Sequence, residues 1–226
     1  MSFIGIHDLD LKIISLLSLE DIINLYTTNK YYRKLIKNIP LLMEILTMLV
    51  NLPDEEEDLI LFIGDEFDDG NNTNYIDNIN NILLVKKLIQ HMNIHYPNYH
   101  GQYYNNFGEQ VFYYLLGNEY VHDDNVNQFI NIFDKNIVSY LNRWLNITYK
   151  NLNIITFFNM VYMLYNATDT KNSIYVKRTI KLFWLNNQHE IQKYLHPTGF
   201  FNTEYDDWYY QKIQKKYDKL NNILNA

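Results

Sequence analysis

The feature that most constrains the fold is the apolar spacing in residues 4–39, IGIHDLDLKIISLLSLEDIINLYTTNKYYRKLIKNI. Intervals of three and four predict three short amphipathic helices in close succession. Their apolar faces consist of Leu9, Ile13, Leu16 and Leu17, then Ile22, Ile23, Leu25 and Tyr26, then Tyr32, Leu35, Ile36 and Ile39. Three helices of this size cannot bury that much apolar surface among themselves. The segment must therefore pack on the rest of the chain or on a partner protein.

Polar residues at the predicted helix ends support the division into three. Ser18 is placed to cap the second helix, and Asp21 follows at its third position, where a carboxylate interacts favourably with the helix dipole. Thr27, Thr28 and Asn29 interrupt the apolar pattern and offer a cap for the third helix.

The order of these features resembles an F-box, which has a Leu/Ile-rich first helix, a Ser-x-x-Asp turn, Asp-Ile-Ile-x-Leu and Thr-x-Lys-x-x-Arg-x-Leu. The matching residues are Ile13, Ile14, Ser15, Leu17, Asp21, Ile22, Leu25, Thr28, Lys30, Arg33, Leu35 and Ile36. Residues 4–7 lack the Leu-Pro with which the family usually opens, and Asn29 replaces the usual cysteine before the lysine. Tyr32 stands where the family usually has an aromatic residue or leucine.

The resemblance implies an adaptor that binds a Skp1-like protein through this module and recruits a target to a cullin-type ubiquitin ligase. On this hypothesis apolar side chains form the core and the interface of the module, and two cations lie at the polar rim. The predicted partner-binding residues are Leu9, Ile13, Leu17, Ile22, Leu25, Lys30, Arg33 and Leu35. The adaptor itself does no chemistry and needs no cofactor.

The abundance of Asn, Ile, Tyr and Lys is typical of AT-rich genomes, and F-box-like proteins of this composition resemble those of large DNA viruses of eukaryotes. The expected location is intracellular, in the host cytoplasm if the protein is viral. A second hypothesis is a non-catalytic viral structural or virion-associated helical protein whose N-terminal helices pack in its own core. A third is an unrecognised enzyme, which a pocket gathering His91, His95 and Glu109 would favour.

Apolar periodicity continues along most of the chain and predicts an all-α fold. We expect an F-box-like module at 1–52, an acidic Asn-rich loop or linker at 53–81, and an irregular helical body at 82–226 that binds the target.

Within this body the clearest predicted helix covers 125–147. The last helix, 206–224, has one apolar face, and Lys212, Lys215, Lys216 and Lys219 cover its other faces. Aromatic clusters at 96–104 and 200–210 suit either a core or a partner surface, because Tyr and Trp bury much area at a small entropic cost.

Composition excludes several functional classes. The net charge of −7 argues against a nucleic-acid surface as the main one. A chain without cysteine has no disulfide, thiolate nucleophile or cysteine-ligated zinc. Neither a signal peptide nor an apolar run of membrane-spanning length is recognisable, so we expect a soluble protein without a membrane partner.

The histidines offer the strongest metal-binding pattern. His91 and His95 are four residues apart on a predicted helix, a spacing that can present two imidazoles to one ion. No carboxylate lies at a ligand position beside them in the sequence, so we expect no metal site. Nucleotide-binding glycine loops and catalytic-serine motifs do not occur, and we expect no catalytic residues.

Overall fold

The computed structural model describes residues 7–52, 59–61, 63–64, 75–118, 120–133, 136–150, 153–167, 171–195 and 204–226. The regular elements in these ranges are helices and none is a strand, which confirms the predicted all-α fold. The chain divides into two compact units, Met1–Tyr120 and Val121–Ala226.

The first unit is organised by one long helix. The helices with described bounds are α1 His7–Leu16, α2 Leu19–Thr28, α3 Lys30–Ile36, α4 Pro40–Val50, α5 Tyr75–His95 and α6 Phe107–Gly117, and residues 59–61 and 63–64 are helical as well. The long helix α5 packs against α2, α4 and α6, and α2 packs against α3. One apolar stripe of α5, which consists of Leu84, Leu88, Ile89 and Met92, is buried. Side chains at this spacing lie on one face of a helix, so α5 can serve several short helices as a common packing partner.

The units do not coincide with the predicted division into 1–52, 53–81 and 82–226. The first unit extends to Tyr120 because α5 and α6 belong to the same core as the N-terminal helices. Helix α5 also begins at Tyr75, before the predicted end of the linker. The acidic runs at 54–58 and 65–69 lie outside the described residues.

The second unit is organised by a long helix as well. Its helices are α7 Val126–Phe133, α8 Ile137–Thr148, α9 Ile154–Asn166, α10 Ser173–Lys193 and α11 Glu204–Asn225. Helix α10 packs against α8, α9 and α11, and α9 also packs against α11. Aromatic rings fill the space between these helices. Trp184 lies 6.1 Å from Phe158 and 5.4 Å from Tyr217, measured between ring centroids, and its indole N–H donates to Asn221 Oδ1 at 3.1 Å.

The continuous helix predicted over 125–147 is wrong, since the structure has two helices there. Helix α7 ends at Phe133 and α8 begins at Ile137. The apolar spacing continues across the break, because Phe133, Ile137 and Tyr140 are all buried and the Phe133 and Tyr140 rings lie 6.0 Å apart. Periodicity alone cannot detect such a break, and no glycine or proline marks it.

Asparagine begins several of the helices. The side chains of Asn106 and Asn153 accept the backbone N–H groups of Glu109 and Ile155, each at 2.9 Å. These N–H groups belong to first helical turns and have no partner within the helix, so the caps fix where α6 and α9 begin. No helix in the described ranges is long and apolar enough to cross a membrane.

Replacing Trp184 by phenylalanine should destabilise the second unit. The change removes the hydrogen bond to Asn221 and leaves a void beside Phe158 and Tyr217. We expect a loss of roughly 1–3 kcal/mol in the free energy of unfolding, measured by urea denaturation with circular dichroism. The matched control is Leu185→Ala on the exposed face of the same helix, which should cost much less. Equal losses for the two variants would contradict the assignment of Trp184 to the core.

Candidate protein-docking surface

The predicted caps of the N-terminal helices are present in the structure. Ser18 Oγ accepts the Asp21 N–H at 3.1 Å and donates to Asp21 Oδ2 at 2.6 Å. Asn29 Oδ1 accepts the N–H groups of Tyr31 at 3.0 Å and Tyr32 at 3.2 Å. Because Asn29 follows directly on α2 and caps α3, the turn between these helices is fixed by side-chain hydrogen bonds.

The orientation of α1 differs from the one that apolar spacing indicates. Its buried side chains are Asp10 and Ile14, whereas Leu9 is 38% exposed and Leu16 is 79% exposed. Asp10 accepts hydrogen bonds from the Tyr31 hydroxyl at 2.7 Å and from the Tyr32 hydroxyl at 3.2 Å. A buried carboxylate needs such donors, so α1 turns Asp10 inward toward α3 and its leucines outward.

This contact also affects the titration of a tyrosine. The pKa of Tyr32 is raised, first by burial and then by the hydrogen bond and negative charge of Asp10. Both causes favour the neutral phenol, which donates to the carboxylate. Sequence reasoning missed Asp10, because nothing in the local pattern distinguishes an inward aspartate from a solvated one.

A lysine of α5 holds the C-terminal end of α1. Lys87 Nζ donates to the Ile14 carbonyl at 3.2 Å and also to the Leu17 carbonyl. The last carbonyls of a helix have no partner within it and carry partial negative charge, so an ammonium group there is favourable. Partial burial lowers the pKa of Lys87. The contact joins residues far apart in sequence and therefore gives no local signal.

The predicted partner-binding residues fall into three groups. Ile22 and Leu35 are buried in the first unit and belong to its core. Ile13, Leu17 and Leu25 are half-buried, whereas Leu9, Lys30 and Arg33 are exposed. Exposed Leu16 was predicted on the apolar face of α1 but was not among the partner-binding residues.

Arg33 already has contacts within the chain. Its Nε donates to the Tyr26 carbonyl at 2.8 Å and its Nη2 to the Thr27 carbonyl at 2.5 Å, and its guanidinium carbon lies 5.9 Å from the centroid of the Tyr26 ring. These carbonyls belong to the last turn of α2, so Arg33 closes the end of that helix. Lys30 extends from the first position of α3.

Two exposed leucines of α1 and the half-buried Ile13 between them form a stripe, which we call the α1 stripe. It consists of Leu9, Ile13 and Leu16, at positions i, i+4 and i+7 of one helix. Single exposed leucines are ordinary on protein surfaces. Three apolar residues at this spacing instead match the anchors by which an amphipathic helix enters an apolar groove.

The histidine pair, His91 and His95, lies near the carboxylate of Glu20, which is distant from both histidines in the sequence. His95 Nε2 is 3.6 Å from Glu20 Oε2 of α2, and the ring centroids of His91 and His95 are 4.4 Å apart. The pKa of His91 is lowered, first by burial and then by His95, while Glu20 acts in the opposite direction. Within the described ranges, no group of three or more His, Cys, Asp or Glu residues is arranged to hold a metal ion.

Glu109, which the enzyme hypothesis groups with His91 and His95, forms a hydrogen bond at the start of α6. It is buried, and its carboxylate accepts the Asn105 N–H at 2.7 Å. A carboxylate at a helix N-terminus is favoured by the helix dipole. This contact gives Glu109 a role in holding the loop before α6.

A groove of about 410 Å³ lies on the second unit between α8 and α10. Its lining residues are Val138, Ser139, Asn142, Asn146, Thr179, Leu182, Phe183, Asn186 and Asn187. The polar groups are carboxamides and hydroxyls, which donate and accept hydrogen bonds but do not titrate near neutral pH. The groove therefore offers polar binding contacts without a general acid or base.

Comparison with known proteins identifies no relative: no family model, curated protein or solved structure matches this chain.

Replacing Tyr32 by phenylalanine tests the buried carboxylate. The variant loses one hydroxyl donor to Asp10, so we expect the free energy of unfolding to fall by about 2 kcal/mol near neutral pH. Folding raises the pKa of Tyr32. The contribution of its hydroxyl to the free energy of unfolding is therefore fully present below the ordinary tyrosine pKa of about 10, and it is lost as the pH rises through the raised pKa of the folded state.

The difference in free energy of unfolding between the wild type and Tyr32→Phe, measured by urea denaturation, should therefore become smaller above pH ~10. Tyr26→Phe is the matched control, since it alters a half-buried tyrosine of α2 and keeps the ring beneath Arg33. A Tyr32→Phe deficit that is constant across the alkaline range would contradict the assigned contact.

Proposed function

We propose that this chain is a non-catalytic, F-box-like adaptor that docks on a Skp1-like protein through its N-terminal helices and recruits a target to a cullin-type ubiquitin ligase. The observation that carries the proposal is the α1 stripe. An exposed, correctly spaced apolar face lies on the same helix in which the sequence resembles the first helix of an F-box.

The exposure of these side chains supports a partner contact. Leu16 is 79% exposed, so most of its apolar surface stays in water in the isolated chain. Burial in a partner groove would be favourable by roughly 25 cal/mol for each Å² of apolar surface removed from water. The stripe runs over two turns of α1, and exposed Lys12 lies beside it as a polar border.

The hydrogen bonds that hold α1 in place support the proposal as well. Asp10 is held by two tyrosine hydroxyls, and Lys87 holds the last carbonyls of the helix. A side chain or helix that is ordered before binding loses less entropy when it binds. The α1 stripe is thus presented on a helix whose orientation is set by the contacts of Asp10 and of the carbonyls at the C-terminal end of the helix.

The structural-protein hypothesis is supported by a different observation. Ile14, Ile22 and Leu35 are buried, and α2 and α4 pack against α5 within the same unit. An N-terminal segment that completes the core of its own chain needs no Skp1-like partner. On this alternative the protein is a helical structural component, associated with a virion if the chain is viral.

Binding of a purified eukaryotic Skp1-like protein, measured by calorimetry, separates the two functions. We expect the full chain to bind and Leu16→Asp to weaken binding about tenfold or more, because a charge replaces an apolar anchor. The side chain of Leu16 is exposed, so the variant should keep its fold. Ile22→Asp would be uninformative, because it puts a charge into the core.

The matched control is Ile174→Asp, an equally drastic change at a side chain that is 72% exposed in the second unit. It should bind as the wild type does. Equal binding by Leu16→Asp and Ile174→Asp would remove the α1 stripe from the interface. Failure of the folded wild type to bind would favour the structural-protein hypothesis.

A further inference from the structure

We propose that the second unit binds acidic, extended peptide segments on a surface of lysines and aromatic rings formed by α9, α10 and α11. We call it the basic surface, and its principal residues are Tyr162, Lys177, Trp208, Lys212, Lys216 and Lys219. The inference rests on the proposed adaptor function, because it assigns a chemistry to the target that the adaptor would hold.

One face of α11 supplies the long edge of the basic surface. Trp208, Lys212, Lys216 and Lys219 follow at intervals of four, four and three residues, so their side chains share a face. The helical rise spaces this row over about 16 Å. Trp208 is 63% exposed, and Lys212 Nζ lies 5.0 Å from the centroid of its ring.

Helix α9 lies beside this row and adds polar and aromatic groups. Lys216 Nζ donates to Asn159 Oδ1, and Lys219 Nζ lies 3.9 Å from the centroid of the Tyr162 ring. Both partners are on the face of α9 that is not fully buried. The two contacts advance in the same direction along α9 and α11, so the surface is continuous between the helices.

Helix α10 extends the surface at its far end. Lys177 Nζ lies 6.0 Å from the centroid of the Tyr165 ring, and Tyr165 follows Tyr162 by three residues on α9. Cations held over ring faces gain a modest attraction and remain accessible to a partner. The tyrosines and Trp208 add flat apolar area between the charges, which is typical of protein-binding surfaces.

Ion pairs are uncommon among the described residues of the basic surface. In the part of the chain that the structure describes, none of Lys177, Lys212, Lys216 and Lys219 forms an ion pair with a carboxylate, whereas Lys193 pairs with Glu190 at 2.6 Å. Asp218 lies on a different face of α11 and accepts from Gln214 Nε2 at 2.8 Å. In a chain of net charge −7, such a cationic area requires an explanation.

The lysines are close enough to act on one another. The pKa of Lys216 is lowered, first by burial and then by the positive charges of Lys212 and Lys219. A bound carboxylate would relieve this repulsion, so the surface is arranged for a partner that carries several negative charges.

The dimensions favour a short acidic peptide. An extended chain advances about 3.3 Å per residue, so a segment of about five or six residues covers the row on α11. A nucleic acid carries a charge at every phosphate along its length and would meet repulsion from the rest of this acidic chain. A short acidic segment is no longer than the basic surface, so it avoids this repulsion from the rest of the chain.

The test is fluorescence anisotropy with the full chain and a labelled peptide that contains a run of about six glutamates. We expect the wild type to bind and Lys212→Gln/Lys216→Gln/Lys219→Gln to bind roughly tenfold more weakly, because three positive charges of the basic surface are lost. The matched control, Lys34→Gln/Lys37→Gln/Lys150→Gln, changes the net charge equally at exposed lysines outside α9, α10 and α11 and should bind within about twofold of the wild type.

Three results would overturn the proposal: no binding by the folded wild type, equal weakening by the two triple variants, or tighter binding of a single-stranded oligonucleotide than of the peptide. A peptide with glutamine in place of glutamate should not bind. The assay contains no Skp1-like protein, and Leu16→Asp should bind the peptide normally, so failure here is distinguishable from failure of the docking function.

Discussion

Each unit depends on one long central helix against which several other helices bury their apolar faces. Helices α5 and α10 each have 21 residues, whereas α3 has 7 and α7 has 8. Isolated helices as short as these are unstable in water, because the free-energy cost of nucleation exceeds the stabilisation from their few hydrogen bonds. Their stability comes from packing on neighbouring helices: α3 packs on α2, which in turn packs on the long helix α5.

Within the first unit, polar contacts decide which face of a short helix is buried. Apolar area alone would turn Leu9 and Leu16 inward, but the Asp10 carboxylate finds two hydroxyl donors on α3, and Lys87 finds carbonyl acceptors at the end of α1. A buried charge without partners costs more than an exposed leucine. The same contacts that stabilise α1 therefore leave its leucines at the surface, and the proposed docking surface depends on the orientation that one carboxylate sets.

The sequence predicted those features that depend on local spacing. The helical character of the described residues, the caps at Ser18 and Asn29, and the apolar face of α11 follow from periodicity and end residues, and the structure confirms them. The features that were missed depend on contacts between distant residues. Lys87 meets α1 across the unit, Asp10 meets α3, and the break after Phe133 has no glycine or proline to mark it. The sequence shows the lysines of α11, but only the structure shows that two of them contact Asn159 and Tyr162 of α9.

The distribution of tryptophan gives the two units separate optical signals. All three tryptophans, Trp144, Trp184 and Trp208, follow Tyr120 in the chain, so indole emission comes from the second unit alone. Trp144 and Trp184 are buried, and their emission should shift to longer wavelength when that core opens. Trp208 lies at the surface beneath Lys212 and contributes a solvent-exposed component. Melting of the first unit would change the circular dichroism of its helices while leaving the fluorescence spectrum almost unaltered.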